Sequence, residues 1–215
     1  FSSSVPFGGS AGNIVRSSQR GVILDMSYPV DIYRRVDFNY TFVGEKEEEV
    51  WSRQGQTQGD ALSSSTHLLK AAYVHDSITY GLLGPTAGRR YFLSAGRTLD
   101  ISADSRSFSH VELDYRHYFR LGRWSVLGMR FAGVGSLGRD SLRYNLGGPA
   151  WWQPFYAGFN LNAGPLRGYG WSELQGSRVA LMNAELRVPF IRGIAFGWPG
   201  SFVIPAIDGT AFLDM

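Results

Sequence analysis

The chain has 215 residues, a net charge of +3 and no cysteine, and 44% of its residues are hydrophobic. No stretch of eighteen apolar residues occurs, which excludes a transmembrane helix, and the missing cysteines exclude a disulfide scaffold and thiol chemistry. The basic residues are nearly all arginines and are spread along the chain, so a nucleic-acid partner is not indicated. The 27 glycines and the 14% aromatic content favour an all-β fold rich in turns.

Alternation of apolar and polar side chains is the dominant pattern, and it predicts strands in eight places. Each is about nine to twelve residues long, enough for a tilted strand to cross a bilayer. In chain order the segments are RGVILDMSY (20–28), YRRVDFNYTF (33–42), THLLKAAYVHD (66–76), RRYFLSAGRTL (89–99), SHVELDYRHYF (109–119), WSVLGMRFAG (124–133), VALMNAELRV (179–188) and VIPAIDGTAFLDM (203–215).

The polar face of these strands carries charges of both signs in mid-strand, whereas the apolar face carries almost none. A soluble β-sandwich also alternates, but it turns its charges towards water and its apolar face into a shared core. A membrane barrel instead turns the apolar face to lipid and the polar face to a wet lumen, and it closes the sheet. The pattern therefore predicts an antiparallel transmembrane β-barrel.

The lengths of the connections point the same way. Residues 29–31 and 120–123 read as tight turns, whereas 44–64 and 135–177 read as long polar loops, as in outer-membrane barrels. Aromatic residues near strand ends suit the girdle that such barrels place at the membrane interface. These are Tyr28, Tyr33, Tyr118, Phe119 and Trp124.

Three short motifs could carry chemistry, and none forms a convincing site. GGSAG around Ser10 lacks the strand and helix of a nucleophile elbow, and GVGSLG at 133–138 lacks the helix and acidic residue of a dinucleotide site. His110, Glu112 and Asp114 share one strand face, as metal ligands could. Arginines on the same face, Arg116 and Arg130, argue instead for a charge-balanced lumen wall without metal.

Arg167 lies in a glycine-rich segment directly before the strand that bears Asn183, Glu185 and Arg187 on one face. A loop arginine inside a barrel can pair with carboxylates on the wall. Glu185 and Asp214 are at the alternate strand positions that would face the lumen. An arginine that projects into solvent fits the spacing equally well.

The segment GPLRGYGWSELQGSRVALMNAELRVPF resembles the loop-six signature of the BamA-type outer-membrane assembly factors, the bacterial surface antigen superfamily. It contains the family's (L/V)RG(F/Y) motif followed by the N-x-E-x-R-x-P strand. YNLGG at 144–148 is similar to the family's lead-in, and AFLDM at 211–215 is similar to the start of its F-x-D-x-G strand.

The resemblance implies a sixteen-stranded barrel. Residues 1–215 would form a partial barrel domain of about eight of these strands, truncated at both ends, with the seam strands outside the chain. The insertion PAWWQPFYAGFNLNA at 149–163 is longer than the family's usual gap and suggests a loop that packs into or over the barrel mouth.

The resemblance also implies site residues. The loop motif would be Leu166, Arg167, Gly168 and Tyr169, held inside the lumen by Glu185 and Asp214. The rest of the lumen wall would carry a charge network of Glu112, Asp114, Arg116, Arg130, Asn183 and Arg187.

The implied function is the insertion of β-barrel proteins into the outer membrane of a Gram-negative bacterium, or the movement of polypeptides across it. This work needs no cofactor and is not enzymatic. The partners would be outer-membrane lipids, unfolded polypeptide clients and a periplasmic domain of the full-length protein. An outer-membrane barrel enzyme of the lipase or protease type, or a passive porin- or adhesin-like barrel, are the alternatives.

Overall fold

The computed structural model describes residues 2–8, 14–51, 62–81, 84–148, 155–156, 159–160, 162–170, 173–191, 193–197, 200–205 and 207–215. Side chains are described for these ranges apart from 2–8, 14–17, 48–51, 62, 155–156, 159–160 and 162. This part of the chain consists of strands, turns and irregular connections. It contains no helix long and apolar enough to cross a membrane.

Seventeen strands are present in the described residues. In chain order they are β1 (Ser2–Gly8), β2 (Ile14–Pro29), β3 (Arg34–Trp51), β4 (Leu62–Asp76), β5 (Thr79–Gly81), β6 (Gly84–Thr98), β7 (Ser109–Arg120), β8 (Val126–Leu137), β9 (Tyr144–Leu146), β10 (Phe155–Tyr156), β11 (Phe159–Asn160), β12 (Asn162–Gly164), β13 (Leu174–Gly176), β14 (Arg178–Ile191), β15 (Ile194–Phe196), β16 (Phe202–Ile204) and β17 (Ile207–Asp214).

The main sheet has ten strands, nine of them in the order β1-β2-β3-β4-β6-β7-β8-β14-β17, with β5 paired to β6 off this path. All neighbours along the path are antiparallel. The eight predicted strands are confirmed as β2, β3, β4, β6, β7, β8, β14 and β17. The antiparallel, barrel-type all-β class is therefore confirmed.

The first strand of the main sheet, β1, was not predicted. Its sequence, SSSVPFG, lacks the alternation of large apolar residues that marks the other strands. It forms because β2 offers a free edge, and the two strands pair from Ser2↔Arg20 to Gly8↔Ile14. Backbone pairing of this kind requires no apolar side chain.

The predicted long loop at 44–64 is wrong for residues 44–51 and 62–64, which belong to β3 and β4, while residues 52–61 lie outside the described part of the chain. β3 runs on to Trp51, and the acidic segment EKEEE (45–49), which falls within the predicted loop, pairs with the first half of β2, for example Glu45 with Gln19. The tight turns near residues 30 and 121 are confirmed, with β2 ending at Pro29 and β8 beginning at Val126. The long connection between β8 and β14 contains the short strands β9 to β13.

The predicted apolar positions share the outward face of the sheet and align across strands. Met26 pairs with Phe38, Phe38 with Ala71, and Ala71 with Ala95 in one continuous row. Large side chains on this face remain exposed, for example Leu24 at 60% and Leu93 at 50%. An apolar surface that spans this many strands is a contact surface for a membrane or a partner.

The inward face is not polar throughout, contrary to the expectation of a uniformly wet lumen. One buried cluster joins Leu142, which lies between β8 and β9, and Tyr144 of β9 to Val43, Leu68 and Phe108. A second cluster lies beside it and consists of Ala132, Leu146, Leu166 and Leu181. The long connection after β8 therefore folds back into the concavity of the sheet and covers part of its wall.

Aromatic and histidine rings border the outward face at the end where the tight turns lie. His75 stacks on Tyr91 with ring centroids 4.7 Å apart, and His117 stacks on Phe119 at 3.9 Å. Tyr118 was predicted to join this girdle but faces inward, where its ring lies 5.8 Å from the Arg187 guanidinium carbon. Strict alternation explains this placement, since neighbours of an outward residue on a strand face inward.

Candidate functional site

The loop that carries Arg167 is held by backbone hydrogen bonds to the segment around β9. β9 pairs with β12 on one side and with β13 on the other, and so forms a small sheet that brackets the loop. The Gly147 N–H donates to the Gly164 carbonyl at 3.1 Å, and the Gly148 N–H donates to the Tyr169 carbonyl at 3.2 Å. The YNLGG segment therefore holds both ends of the loop.

The conformation requires glycine at two positions, one in the loop and one in the YNLGG segment that holds it. The Tyr169 N–H donates to the Leu166 carbonyl at 3.4 Å, which closes a turn with Gly168 at its third residue and a φ of +89° there. This is the position at which a type II turn needs a positive φ. Gly147 has a φ of +101°, and a Cβ there would lie 2.9 Å from the Gly170 carbonyl oxygen.

The substitution Gly147→Ala is expected to loosen the loop, because the methyl group would meet the Gly170 carbonyl and the backbone would be strained. We expect a loss of roughly 1–3 kcal/mol of local stability. The measurement is hydrogen exchange at the amides of residues 162–170. Gly122→Ala, at an open position in a turn, is the control and should leave that exchange unchanged. Equal exchange in the two variants would contradict the assignment.

Leu166 anchors the loop through apolar contact. It is 8% exposed and belongs to the cluster with Ala132, Leu146 and Leu181. Its burial places the next residue, Arg167, at the surface of this packed region rather than within it. The leucine of the motif thus packs against the wall, whereas the arginine faces the open interior.

The structure brings Arg167 next to both of its predicted partners. Its Nη2 donates to Glu185 at 3.3 Å and its Nη1 to Asp214 at 3.4 Å, while its backbone N–H donates to Asp214 at 3.3 Å. The guanidinium carbon also lies 3.9 Å from the centre of the Phe212 ring. The side chain of Arg167 is 46% exposed and that of Asp214 only 6%. The guanidinium is therefore paired and still hydrated.

Pairing of β14 with β17 sets up this arrangement. Asn183 lies opposite Asp214, and Glu185 lies opposite Phe212, so all four residues share the inward face. Asn183 Nδ2 donates to Asp214 at 2.8 Å, and Arg187 Nε donates to Glu185 at 2.6 Å. Both carboxylates are thus also held by side chains of the wall itself.

Three of the remaining predicted charges form a second, separate cluster around Asp114. Asp114 accepts hydrogen bonds from Arg116 at 2.8 Å and from Arg130 at 2.7 Å. Glu112 lies apart from it, 3.7 Å from His110. Within the described residues no hydrogen bond or ion pair joins this cluster to the one around Arg167. The predicted charges therefore divide into two local clusters and the separate Glu112–His110 pair, because side-chain reach along a strand is limited to near neighbours.

Several contacts at the site were not predicted. The Tyr144 hydroxyl lies 2.6 Å from His110 Nδ1, and Tyr144 is completely buried. Arg187 donates to the Pro85 carbonyl at 3.2 Å, which links β14 to the β5–β6 hairpin across the concave face. No local pattern indicates these pairs, although YNLGG did draw attention to the segment that holds Tyr144.

Asp140 holds the start of the inward-folded connection. Its carboxylate accepts the Ser107 N–H at 2.8 Å, and this backbone hydrogen bond lowers the pKa of Asp140 below its ordinary value of 3.8. Because the pKa of Asp140 is lower in the folded state than in the unfolded chain, the hydrogen bond contributes its full stability above the ordinary value of 3.8. This contribution is lost as the pH falls through the folded-state pKa.

We expect hydrogen exchange of the Ser107 amide to rise, relative to that of nearby amides, as the pH falls below about 4. Asp140→Asn should abolish this dependence on pH. A wild-type exchange profile without this rise at low pH would contradict the role of the Asp140 carboxylate.

The other candidate motifs form no site within the described residues. Ser10 lies outside the described residues, and GVGSLG lies within or directly after β8 as extended chain rather than a phosphate-binding turn. No group of three His, Cys, Asp or Glu side chains in the described residues could hold a metal ion. Most of the 149–163 insertion also lies outside the described residues, apart from β10, β11 and the start of β12.

One serine–histidine contact bears on the enzyme alternative. His75 Nε2 lies 3.2 Å from Ser77 Oγ, but the Ser77 hydroxyl donates to the Arg89 carbonyl. His75 Nδ1 is buried without a hydrogen-bond partner in the described part of the chain. A catalytic histidine normally has its second nitrogen oriented by a carboxylate. This pair therefore lacks the third member of a triad.

No family model and no curated protein matches the sequence. The fold is similar to that of a solved structure, BamA from Haemophilus ducreyi lacking POTRA domains 1–3, with a TM-score of 0.53 and 17% sequence identity. The match covers 91% of this chain and 41% of that one, so the chain spans less than half the length of the BamA structure. At this identity the likeness concerns the fold: the chain has the antiparallel, barrel-type sheet that BamA has.

Proposed function

We propose that the chain is part of an outer-membrane β-barrel of the BamA-type assembly and translocation superfamily. The observation that carries this proposal is the placement of Arg167 against Glu185 and Asp214 on the inward face. The fold likeness to BamA and the exposed apolar outward face support it. In this proposal residues 1–215 are one segment of a sixteen-stranded barrel domain, and the full-length protein also has a periplasmic domain.

In this proposal the LRGY loop is a latch. Arg167 bridges carboxylates on two adjacent strands, so it fixes the loop to the wall and strengthens the contact between β14 and β17. Leu166 supplies the apolar part of the attachment. Charge-assisted hydrogen bonds of a guanidinium are directional, which makes the held position of the loop specific.

The outward face would be covered by lipid in the outer membrane of a Gram-negative bacterium. Barrels of this kind have short periplasmic turns and longer extracellular loops. The tight turn after β2 would then face the periplasm, and the connection that carries Arg167 would enter the lumen from the extracellular side. Unfolded polypeptides would be the clients, and the work would require no cofactor.

The test reconstitutes the full-length protein in liposomes and follows the folding of an added, unfolded outer-membrane barrel by its heat-modifiable migration on gels. We expect faster folding with the wild-type protein than with empty liposomes or with Arg167→Ala. Ion conductance without any acceleration would identify a passive pore and overturn the proposal. Ester or peptide hydrolysis that Ser77→Ala abolishes would identify an enzyme and would also overturn it.

A further inference from the structure

The outward face contains a groove that spans β2, β3, β4 and β6 and has a volume of about 640 Å³. Ala71 and Ala95 pair directly, and both are exposed, so they form a shallow floor between bulkier neighbours. The walls are formed by the larger apolar side chains of the same face: Leu24, Met26, Phe38, Tyr40 and Leu69. A groove of this shape and chemistry fits an acyl chain.

A cation lies at one end of this groove. Arg97 lines it and pairs with Leu69 and Ser109, one row beyond Ala95 on the same outward face. The ion pairs of the described residues do not include Arg97. A cation on the lipid face of a barrel is costly towards the middle of the bilayer and tolerated near the headgroups. The position therefore requires an anion or water at the level of Arg97.

Further cations face outward at the same end of the sheet. Arg20 on β2 and Lys46 on β3 have outward parity and are exposed. This end is the one at which β6 and β7 are joined by residues 99–108, the end that the proposed function assigns to the outer leaflet. A phosphate group matches this charge, because a guanidinium binds phosphate with two parallel hydrogen bonds.

We infer that the groove and Arg97 form a binding site for a lipid of the outer leaflet whose phosphate headgroup has a net negative charge, unlike the zwitterionic headgroup of phosphatidylcholine. One acyl chain lies over Ala71 and Ala95, and the phosphate contacts the Arg97 guanidinium. This inference rests on the proposed membrane location, but it concerns a surface outside the lumen that the latch does not use.

The test is native mass spectrometry of the full-length protein in mild detergent, titrated with lipid A or with phosphatidylcholine. We expect wild-type protein to bind lipid A preferentially and Arg97→Gln to weaken that binding about tenfold, the loss typical of one charged hydrogen bond. Arg97→Lys keeps the charge but loses the paired geometry, so its binding should be intermediate. Ala95→Leu, which fills the floor, should also weaken binding.

Two control variants make the same kinds of substitution at positions outside the groove. Arg123→Gln removes an arginine from the turn at the opposite end, and Ala211→Leu enlarges an outward residue of β17; both should bind lipid A as the wild type does. Wild-type binding by both Arg97→Gln and Ala95→Leu would overturn the inference, and so would displacement of lipid A by inorganic phosphate. Recovery of the full-length protein outside the outer-membrane fraction would instead refute the proposed function.

Discussion

Arg167→Ala is expected to release the loop and expose it to protease. The substitution removes two ion pairs and the stacking on Phe212, and it leaves Asp214, whose side chain is 6% exposed, with Asn183 as its remaining side-chain partner. Exposed ion pairs contribute little, about 0–1 kcal/mol each, so the larger loss comes from the buried carboxylate, roughly 1–3 kcal/mol. Since cleavage follows the population of the open state, chymotrypsin should cut after Tyr169 roughly tenfold to a hundredfold faster.

Glu185→Gln should have nearly the same effect. It removes the charge that holds Arg167 at 3.3 Å and Arg187 at 2.6 Å, although the amide oxygen can still accept one hydrogen bond. The control is Arg35→Ala, which removes an exposed arginine that pairs with Asp37 on β3, far from the loop. An unchanged digestion pattern in both Arg167→Ala and Glu185→Gln would count against the latch.

Tyr144→Ala is expected to give the largest loss of stability among single substitutions at the site. Tyr144 is completely buried and packs with Val43, Leu68, Phe108 and Leu142. Truncation of a large buried aromatic side chain typically costs about 3–5 kcal/mol, because the cavity collapses only in part. The long connection should detach from the wall and the loop should become sensitive to protease. Urea unfolding in detergent micelles measures the first effect, and chymotrypsin digestion measures the second.

Tyr144→Phe separates packing from hydrogen bonding. It keeps the ring but removes the hydroxyl that lies 2.6 Å from buried His110, so we expect a smaller loss of about 1–3 kcal/mol. Tyr80→Ala, at a 65% exposed position of the hairpin, should change stability little. If Tyr144→Ala were no worse than Tyr80→Ala, the buried contact between the connection and the wall would be refuted.

The strands of the main sheet were predictable because large apolar side chains recur at every second position. Phe38, Leu93 and Leu113 are examples, and strand pairing aligns them on one face. β1 escaped prediction because it pairs through its backbone and lacks such a pattern. The extension of β3 through an acidic run was missed for a related reason: charge suggested a loop, whereas a free edge of β2 was available.

The predictable part of the site was the part that depends only on which face of a strand each residue occupies. Alternation along β14 places Glu185 on the inward face, and the resemblance pointed to Arg167 and Asp214. The contacts of Tyr144 with Leu68 and His110 join residues far apart in sequence, so no local pattern indicates them. The same limit explains why the charges were expected to form one network. Their separation depends on side-chain reach in three dimensions.

The most direct test of the account asks which face of β7 meets lipid. Residues 1–215 contain no cysteine, so a cysteine introduced into β7 can carry the only spin label of this segment, in full-length protein in a bilayer from which any cysteine elsewhere has been removed. The account predicts an alternating pattern, with labels at Val111, Leu113 and Tyr115 relaxed by lipid-soluble oxygen and those at Glu112 and Asp114 shielded from it. Labels at the first three positions that water-soluble nickel chelates reach equally well, or a scan without a two-residue period, would contradict an outward face immersed in hydrocarbon.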